Sequence, residues 1–259
     1  MQLGAQIYTA RQYTKNLDDL AQTLQKIADI GYTSVQVSGV CPFEPEWMRD
    51  QLQRTGLTCA MTHVEPQRLI DDAESVVKEH AVFNCRHIGI GGMPGPIRGT
   101  LEGYEEFRRI YLPVALKLRD LGAKFLYHNH WFEFDKLDGK DVLERILEDF
   151  PEDSVDFTLD LGWAAYAGVD VLKLIDTLSG RLSRIHLKDY AEMPEDGSIT
   201  TAAYLRPIYE GILPYDAYIA ALKKDGCEYA LVEQDYCYDE DPFDCLTRSF
   251  QNISQRGAL

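Results

Sequence analysis

The segment DFTLDLGWAAYAGVDVLKLIDTLSGRLSRIHLKDY (156–190) indicates how the chain folds, because two apolar runs lie on either side of an amphipathic stretch. The runs DFTLDLGW (156–163) and RLSRIHLKDY (181–190) predict strands, and DVLKLIDTLSG (170–180) predicts a helix that ends at a glycine. A strand, a helix and a second strand in this order are typical of a parallel βαβ unit. The segment therefore predicts an α/β protein.

The same alternation extends over the whole chain. Further strands are predicted at 3–9, 34–38, 58–64, 87–92, 124–130 and 229–235, and further helices at 16–31, 45–56, 66–84, 101–122, 141–150, 215–226 and within 241–257. Eight βα units in series close most naturally into a (β/α)8 TIM barrel, which we expect to be a single domain over 1–259. The alternative, a doubly wound open sheet, needs a glycine-rich turn after an early strand, and GIGGMPG (89–95) is in the wrong place for it.

The composition is ordinary for a soluble globular protein, with 45% hydrophobic and 26% charged residues. The sequence has neither an apolar run long enough for a membrane span nor the basic and then apolar start of a signal peptide. Its six cysteines are scattered without CxxC spacing, so we expect reduced thiols and a cytoplasmic location. A net charge of −16 opposes nucleic-acid binding, but one or two local Lys or Arg residues would suffice for a small anion.

Polar side chains gather where the predicted strands end, and in a TIM barrel those ends form the catalytic face. They are His63, His128, Asn129, His130, Asp160, His186, Lys188, Asp189, Glu233 and Asp235. Each type has a structural alternative: a histidine that only holds the fold, a carboxylate that caps a helix, or a Lys–Asp surface ion pair. His80 and His87 lie away from this face, and we assign them to structure.

In combination these residues predict a metal site. A carboxylate, an imidazole and a carboxylate end three consecutive strands at Asp160, His186 and Glu233, and the segment 128–133 before them adds two histidines and a glutamate. Such a mixed nitrogen and oxygen set suits Mn²⁺, Co²⁺, Zn²⁺ or Mg²⁺ and leaves positions open for substrate oxygens. No cysteine joins the set, which opposes a structural zinc site. We therefore expect one divalent ion per chain.

Five motifs of the chain can be compared with known families: YHNHWFEF (127–134), TLDLGWAAYAG (158–168), RIHLKDY (184–190), EGILPYDAYIAAL (210–222) and LVEQD (231–235). Together they resemble those of the sugar phosphate isomerase/epimerase family of xylose isomerase-like TIM barrels. The resemblance covers the whole chain in the same order and is specific from residue 124 onward. It implies an enzyme whose partner is a small-molecule carbohydrate, namely a ketose, an inosose or a 3-keto-glycoside. We expect neither a nucleic acid nor a membrane as partner, and homo-oligomer formation stays open.

The family's metal ligands are a Glu after the fifth strand, an Asp after the sixth, a His after the seventh and a Glu after the eighth. By this resemblance Asp160, His186 and Glu233 are the last three ligands.

The fifth strand departs from the family pattern. Where many members carry Glu-Asn-His, this chain carries His128, Asn129 and His130, with Glu133 three residues further on. The alternation of side chains along a strand favours His128, whereas the preference of hard ions for oxygen favours Glu133. Both therefore stay candidate ligands, and we expect whichever does not bind the ion to lie in the same pocket.

The chemistry that the resemblance implies is removal of a proton next to a carbonyl, with a divalent ion stabilising the enediolate. Glu233 is the first candidate base, with His130 or Glu133 as the acid on the other side. Lys188 lies on the same strand face as His186 and is a candidate to hold a hydroxyl or an oxyanion. Its alternative role is an ion pair with a carboxylate such as Asp189.

Three further residues are candidates for substrate contact. Trp131 and Trp163 flank the motifs, and their rings suit the apolar face of a sugar, although packing under loops is an equal alternative. His63 ends the third strand. A strongly basic phosphate pocket is not visible in the sequence, so we do not carry phosphate over from the family name.

Three rival functions stay open at this point. A lyase would use the same enediolate to expel a β-leaving group. A DNA-repair endonuclease on this barrel would need more histidines than the six present and a basic groove, which the charge of −16 opposes. A non-catalytic sugar-binding barrel is the third, and the intact Asp160, His186 and Glu233 set opposes it.

Overall fold

The computed structural model describes residues 1–195 and 197–258. Its strands are β1 (Gln2–Gln6), β2 (Ser34–Val37), β3 (Thr58–His63), β4 (His87–Ile90), β5 (Lys124–His128), β6 (Val155–Asp160), β7 (Arg184–Leu187), β8 (Asp189–Ala191), β9 (Tyr204–Arg206) and β10 (Tyr229–Val232). Eight of them form a closed barrel in the order β1-β10-β7-β6-β5-β4-β3-β2, while β8 and β9 form a separate antiparallel pair. All barrel pairs are parallel. The predicted (β/α)8 barrel is confirmed.

Ten helices lie between and after these strands in the described part of the chain. They are α1 (Leu17–Ile30), α2 (Pro45–Thr55), α3 (Pro66–Asp71), α4 (Ala73–Val82), α5 (Leu101–Asp120), α6 (Val142–Asp149), α7 (Leu161–Tyr166), α8 (Val171–Thr177), α9 (Tyr215–Asp225) and α10 (Pro242–Gln255). Their apolar sides pack on the barrel in one large buried cluster, and a small cluster of Ala60, Met61, Leu126 and Leu231 packs separately. Within the described residues, no helix combines the length and the apolar character of a membrane span.

Two predicted strands end earlier than expected because a side chain caps the turn that follows. Gln6 accepts a hydrogen bond from the backbone N–H of Tyr8, and a 3-10 helix (Ile7–Tyr13) replaces the end of the predicted strand 3–9. Asp160 accepts from the backbone N–H of Trp163 and caps α7, so the last residues of the predicted strand 156–163 are helical. Both caps turn the chain at the edge of the barrel.

Two other predicted elements are divided. The predicted helix 66–84 becomes α3 and α4, because Asp72 leaves the helical conformation and caps α4 through the backbone N–H of Ser75. The predicted strand 181–190 becomes β7 and β8, and the chain then runs through β9 before it reaches α9. This excursion brings Thr200–Ala203 to the carboxyl edge of the barrel, where they line its main cavity.

The register of the barrel aligns the carboxyl ends of neighbouring strands. His128 pairs with Thr158, and Asp160 pairs with His186. Val232 pairs with Leu187, and the backbone N–H of Glu233 donates to the carbonyl of Leu187. The strands β5, β6, β7 and β10 are successive neighbours, so their last side chains meet at one edge.

Candidate metal centre

Four side chains meet at the carboxyl edge of the barrel. His128, Asp160, His186 and Glu233 each offer one ligand atom, and these four atoms all lie within 4.8 Å of one another. All four residues are at most 5% exposed. They come from the ends of four neighbouring strands, so the parallel register brings them together.

Hydrogen bonds from outside the cluster orient the two histidines. Nε2 of His186 lies 2.6 Å from the carbonyl oxygen of the Gln36 side chain, and Nδ1 of His128 lies 3.2 Å from the backbone carbonyl of Gly91. Each of these nitrogens must donate to an oxygen, so in the neutral imidazole the lone pair of the other ring nitrogen faces the centre. Those atoms, Nδ1 of His186 and Nε2 of His128, form no hydrogen bond of good geometry among the described residues, and they lie 2.9 Å from Oε2 of Glu233 and 3.5 Å from Oδ2 of Asp160 respectively.

Asp160 is fixed in a similar way. Its Oδ1 accepts from the backbone N–H of Trp163 at 2.9 Å, and the Asn129 side chain bonds both the backbone N–H and the carbonyl of Asp160. Oδ2 of Asp160 and Oε2 of Glu233 face the centre and have no hydrogen bond of good geometry within the described part of the chain. Buried polar atoms without hydrogen bonds are costly unless another group binds them. The donor set therefore fits a divalent cation.

Lys188 supplies positive charge directly beside this set. Its buried ammonium lies 2.9 Å from Oδ2 of Asp160, 3.0 Å from Oε2 of Glu233 and 2.6 Å from Oδ2 of Asp235. The ammonium also lies 4.7 Å from the ring centre of Trp163. Asp189, the partner that the sequence suggested, instead accepts backbone N–H groups from the loop before α9 and from the next residue.

The charges in the cluster are strongly coupled. Burial alone would raise the pKa of Asp160 and of Glu233, but Lys188 and the neighbouring histidines lower both well below their usual range. Burial alone would lower the pKa of His186, yet Glu233 and Asp160 raise it to about 9, so this ring must release a proton before it can bind a metal. Burial dominates at His128, whose pKa is lowered. The two carboxylates are therefore ionised at neutral pH, as metal ligation requires.

Glu133 lies outside the four-atom cluster, in the 3-10 helix Phe132–Phe134. Its fully buried carboxylate accepts from the Tyr127 hydroxyl at 3.1 Å and from the backbone N–H of His130 at 2.8 Å. Both carboxylate oxygens of Glu133 are therefore engaged in hydrogen bonds that stabilise the loop after β5. Of the two sequence candidates on this strand, the structure places His128 in the cluster and Glu133 beneath the His130 backbone.

A cavity of about 840 Å³ opens above the cluster. The predicted substrate residues His63, Trp131 and Trp163 line it, together with the catalytic candidates His130 and Glu233 and with His128. The rings of Trp131 and Trp163 lie 4.8 Å apart, and the ring of His63 lies 5.3 Å from that of His128. Lys188 and Glu133 do not line it.

Sequence reasoning did not identify several residues that shape the site. Gln36 is fully buried and bonds His186, and a polar residue inside the apolar run SVQVS (34–38) was an available indication of it. Asn129 was noted only as part of a motif. Arg11, in the 3-10 helix after β1, and Arg98, in the segment after β4, also line the cavity, and no local pattern distinguishes them from surface arginines.

The fold and site together define a TIM barrel with a candidate metal centre at the carboxyl ends of its strands. The family model described as "Xylose isomerase-like TIM barrel" matches residues 24–242, so the chain belongs to this family.

Individual relatives are distant. An inosose dehydratase from Geobacillus kaustophilus is 22% identical over 192 residues, which cover 65% of this chain; the chain spans about 61% of that relative's length. The crystal structure of a sugar phosphate isomerase/epimerase from Parabacteroides distasonis has a TM-score of 0.81 at 16% identity, covering 99% of this chain and 95% of that one. A probable 3-DHS dehydratase from Bacillus anthracis has a TM-score of 0.75 at 15% identity, covering 99% and 100%. At these identities the structures support the fold alone.

Proposed function

We propose that the protein is a divalent-metal-dependent isomerase or epimerase that acts on a keto-sugar, an inosose or a related carbohydrate. The observation that carries this proposal is the buried set of His128, Asp160, His186 and Glu233. Their four inward-facing atoms lie within 4.8 Å of one another and form no hydrogen bond of good geometry among the described residues, while the Lys188 ammonium lies beside the two carboxylates. Two nitrogen and two oxygen donors suit Mn²⁺, Co²⁺, Zn²⁺ or Mg²⁺. Such an ion, when bound, would polarise a substrate carbonyl and acidify the neighbouring C–H group.

Different side chains of the site would remove the proton, return it and balance the charge. Glu233 lines the cavity together with His128, and we assign it the removal of the proton. His130 lines the same cavity from the loop after β5 and is our candidate to return the proton. Glu133 bonds the backbone of His130 and so positions this ring, while Lys188 balances the charge of Asp160 and Glu233.

The aromatic rings of the cavity favour a carbohydrate substrate. Trp131 and Trp163 present adjacent faces on which the C–H side of a sugar can stack. The ring of His63 lies 5.3 Å from that of His128, and its buried Nε2 has no partner in the described part of the chain. This nitrogen is available to a substrate hydroxyl.

Metal content and solvent deuterium uptake test the proposal. Keto-sugars, inososes and 3-keto-glycosides would be incubated with Mn²⁺ in D₂O and followed by NMR. We expect deuterium next to the carbonyl, and Asp160→Ala and Glu233→Ala should lose both the ion and this exchange. Full activity after exhaustive chelation would refute metal dependence.

The fifth-strand ligand has its own matched pair of variants. We expect His128→Ala to lose the ion, because its Nε2 faces the centre. We expect Glu133→Ala to keep the ion but to lower the exchange rate, because His130 loses its anchor. The opposite result would make Glu133 the ligand.

A lyase on the same site is the second candidate, because the relative from Geobacillus kaustophilus is an inosose dehydratase. Loss of a β-leaving group after the same proton removal gives an unsaturated product. The NMR experiment separates the two outcomes, since an isomerase returns a product of unchanged mass apart from deuterium.

A further inference from the structure

Two arginines face the cavity without carboxylate partners. Arg11 follows β1 and Arg98 follows β4, and both line the cavity. Within residues 1–195 and 197–258, no carboxylate oxygen forms an ion pair with either guanidinium at 4.0 Å or less. Some arginines elsewhere pair with carboxylates, as Arg109 does with Glu106 and Arg248 with Glu240, whereas Arg86 and Arg181 donate to backbone carbonyls and have no such pair among the described residues. What distinguishes Arg11 and Arg98 is that both line the cavity above the metal centre.

Each guanidinium is held in place by a carbonyl and an aromatic ring. Arg11 donates through Nη1 to the carbonyl of Tyr8 at 3.1 Å and lies 4.3 Å from the centre of the Tyr8 ring. Arg98 donates through Nε to the carbonyl of Met93 and lies 4.4 Å from the centre of the Phe132 ring. These contacts leave both Nη groups of Arg98, and the Nε and Nη2 edge of Arg11, free to bind a ligand.

The acidic groups of the cavity have another counter-ion. Lys188 lies 3.0 Å from Glu233 and 2.6 Å from Asp235, so these carboxylates do not need an arginine. Arg98 is also linked to the reacting end of the site, because Phe132 stacks on His130 with ring centres 5.1 Å apart and planes 11° apart. A substrate whose anionic group is bound at Arg98 could therefore extend along Phe132 to His130.

We propose that the substrate is an anionic carbohydrate whose carboxylate or phosphate group is bound by Arg11, by Arg98 or by both. The forked donors of a guanidinium match the paired oxygens of either anion. The two charges also offset the acidic surface, which otherwise repels such a substrate. The identity of the substrate rests on the proposed function, whereas the anion site does not.

The first experiment measures the anion site without the metal. Inorganic phosphate and acetate are titrated by NMR into full-length protein that has been treated with a chelator. We expect Arg11→Gln or Arg98→Gln to weaken binding of one of these anions about tenfold. Arg86→Gln is the matched control, because Arg86 is exposed and does not line this cavity, and it should change nothing. The proposal would be overturned if each anion bound the wild type and the two cavity variants with the same affinity. It would also be overturned if neither anion bound any of the three proteins.

The second experiment distinguishes phosphate from carboxylate in the Mn²⁺-loaded protein. D-Fructose, D-fructose 6-phosphate and D-fructuronate share a keto end and differ at the last carbon. We expect one of the two anionic ketoses to bind about tenfold more tightly than D-fructose. This difference in affinity should disappear in whichever arginine variant weakens anion binding in the first experiment. Equal affinity for all three would overturn the substrate class. If the variants weaken phosphate or acetate binding but no ketose exchanges deuterium, the anion site stands and the proposed isomerase function fails.

Discussion

Replacement of Gln36 by leucine should weaken metal binding without unfolding the barrel. The carbonyl oxygen of the Gln36 side chain lies 2.6 Å from Nε2 of His186 and so fixes the tautomer that turns Nδ1 toward the cluster. Leucine has a similar size but no acceptor. The His186 ring would then lose its anchor, and its Nε2–H would be buried without a partner.

The expected loss follows from what such outer hydrogen bonds contribute. Removal of a group that orients a ligating histidine costs about 10- to 100-fold in metal affinity, or about 1.4–2.7 kcal/mol. The cost to folding should be smaller, because Nε2 of the Gln36 amide is itself buried without a hydrogen bond among the described residues, and leucine removes that unpaired donor. The variant thus separates metal affinity from stability.

Calorimetric titration of Mn²⁺ and Co²⁺ into wild type and Gln36→Leu measures this difference. The matched control is Gln6→Leu, another buried glutamine of the barrel that bonds Tyr8 and none of the four cluster residues. Gln6→Leu should bind the ions as the wild type does. Unchanged affinity in a folded Gln36→Leu variant would refute the argument that Gln36 orients His186.

The other predictions concern stability. Asp189→Ala should lower the free energy of unfolding in urea by about 3 kcal/mol, because the buried carboxylate accepts four backbone N–H groups. Asp189→Asn keeps one acceptor oxygen and should lose less. Equal losses in the two variants would contradict this reasoning. Gly162→Ala should lower the melting temperature and the metal affinity together, because a Cβ there would collide with the carbonyl oxygen of Lys188 and displace α7. Gly95→Ala is the control, since a Cβ at Gly95 meets nothing within 4 Å. An unchanged melting temperature in Gly162→Ala would show that the helix adjusts freely. His80 should make the fold less stable in acid. Burial lowers its pKa from 6.5 to about 4, so its contribution is present above pH 6.5 and is lost as the pH falls toward 4, by up to about 3 kcal/mol. Urea titrations of wild type and His80→Gln over this range should converge at low pH, and parallel curves would exclude His80 as the cause.

The order and type of the barrel elements could be predicted from the sequence alone. Period-two and helical apolar patterns are local properties, so β2, β3 and β4 could be predicted within one or two residues. The ends of elements were harder where a side chain caps the next turn. Asp160 belongs to an apolar run by pattern, but its bond to the N–H of Trp163 starts a helix. That competition depends on local geometry that composition does not show.

The strand-end residues of the cluster could also be named in advance. Parallel strands bring their carboxyl ends to one edge, so Asp160, His186 and Glu233 had to meet if the barrel closed. The fifth-strand choice could not be made in this way. Glu133 lies only five residues beyond His128, and the path of the loop directs its carboxylate to Tyr127 and the His130 backbone.

The residues that support the cluster and the charges that face the cavity depend on how distant segments pack. Gln36 and His186 are 150 residues apart, and Arg11 and Arg98 come from loops on different strands. Contacts between distant segments depend on barrel closure and on the paths of the loops, neither of which leaves a periodic pattern in the sequence. An arginine in a loop has the same local sequence character whether it points to solvent or into a cavity, because the difference is made by the residues that surround it in space.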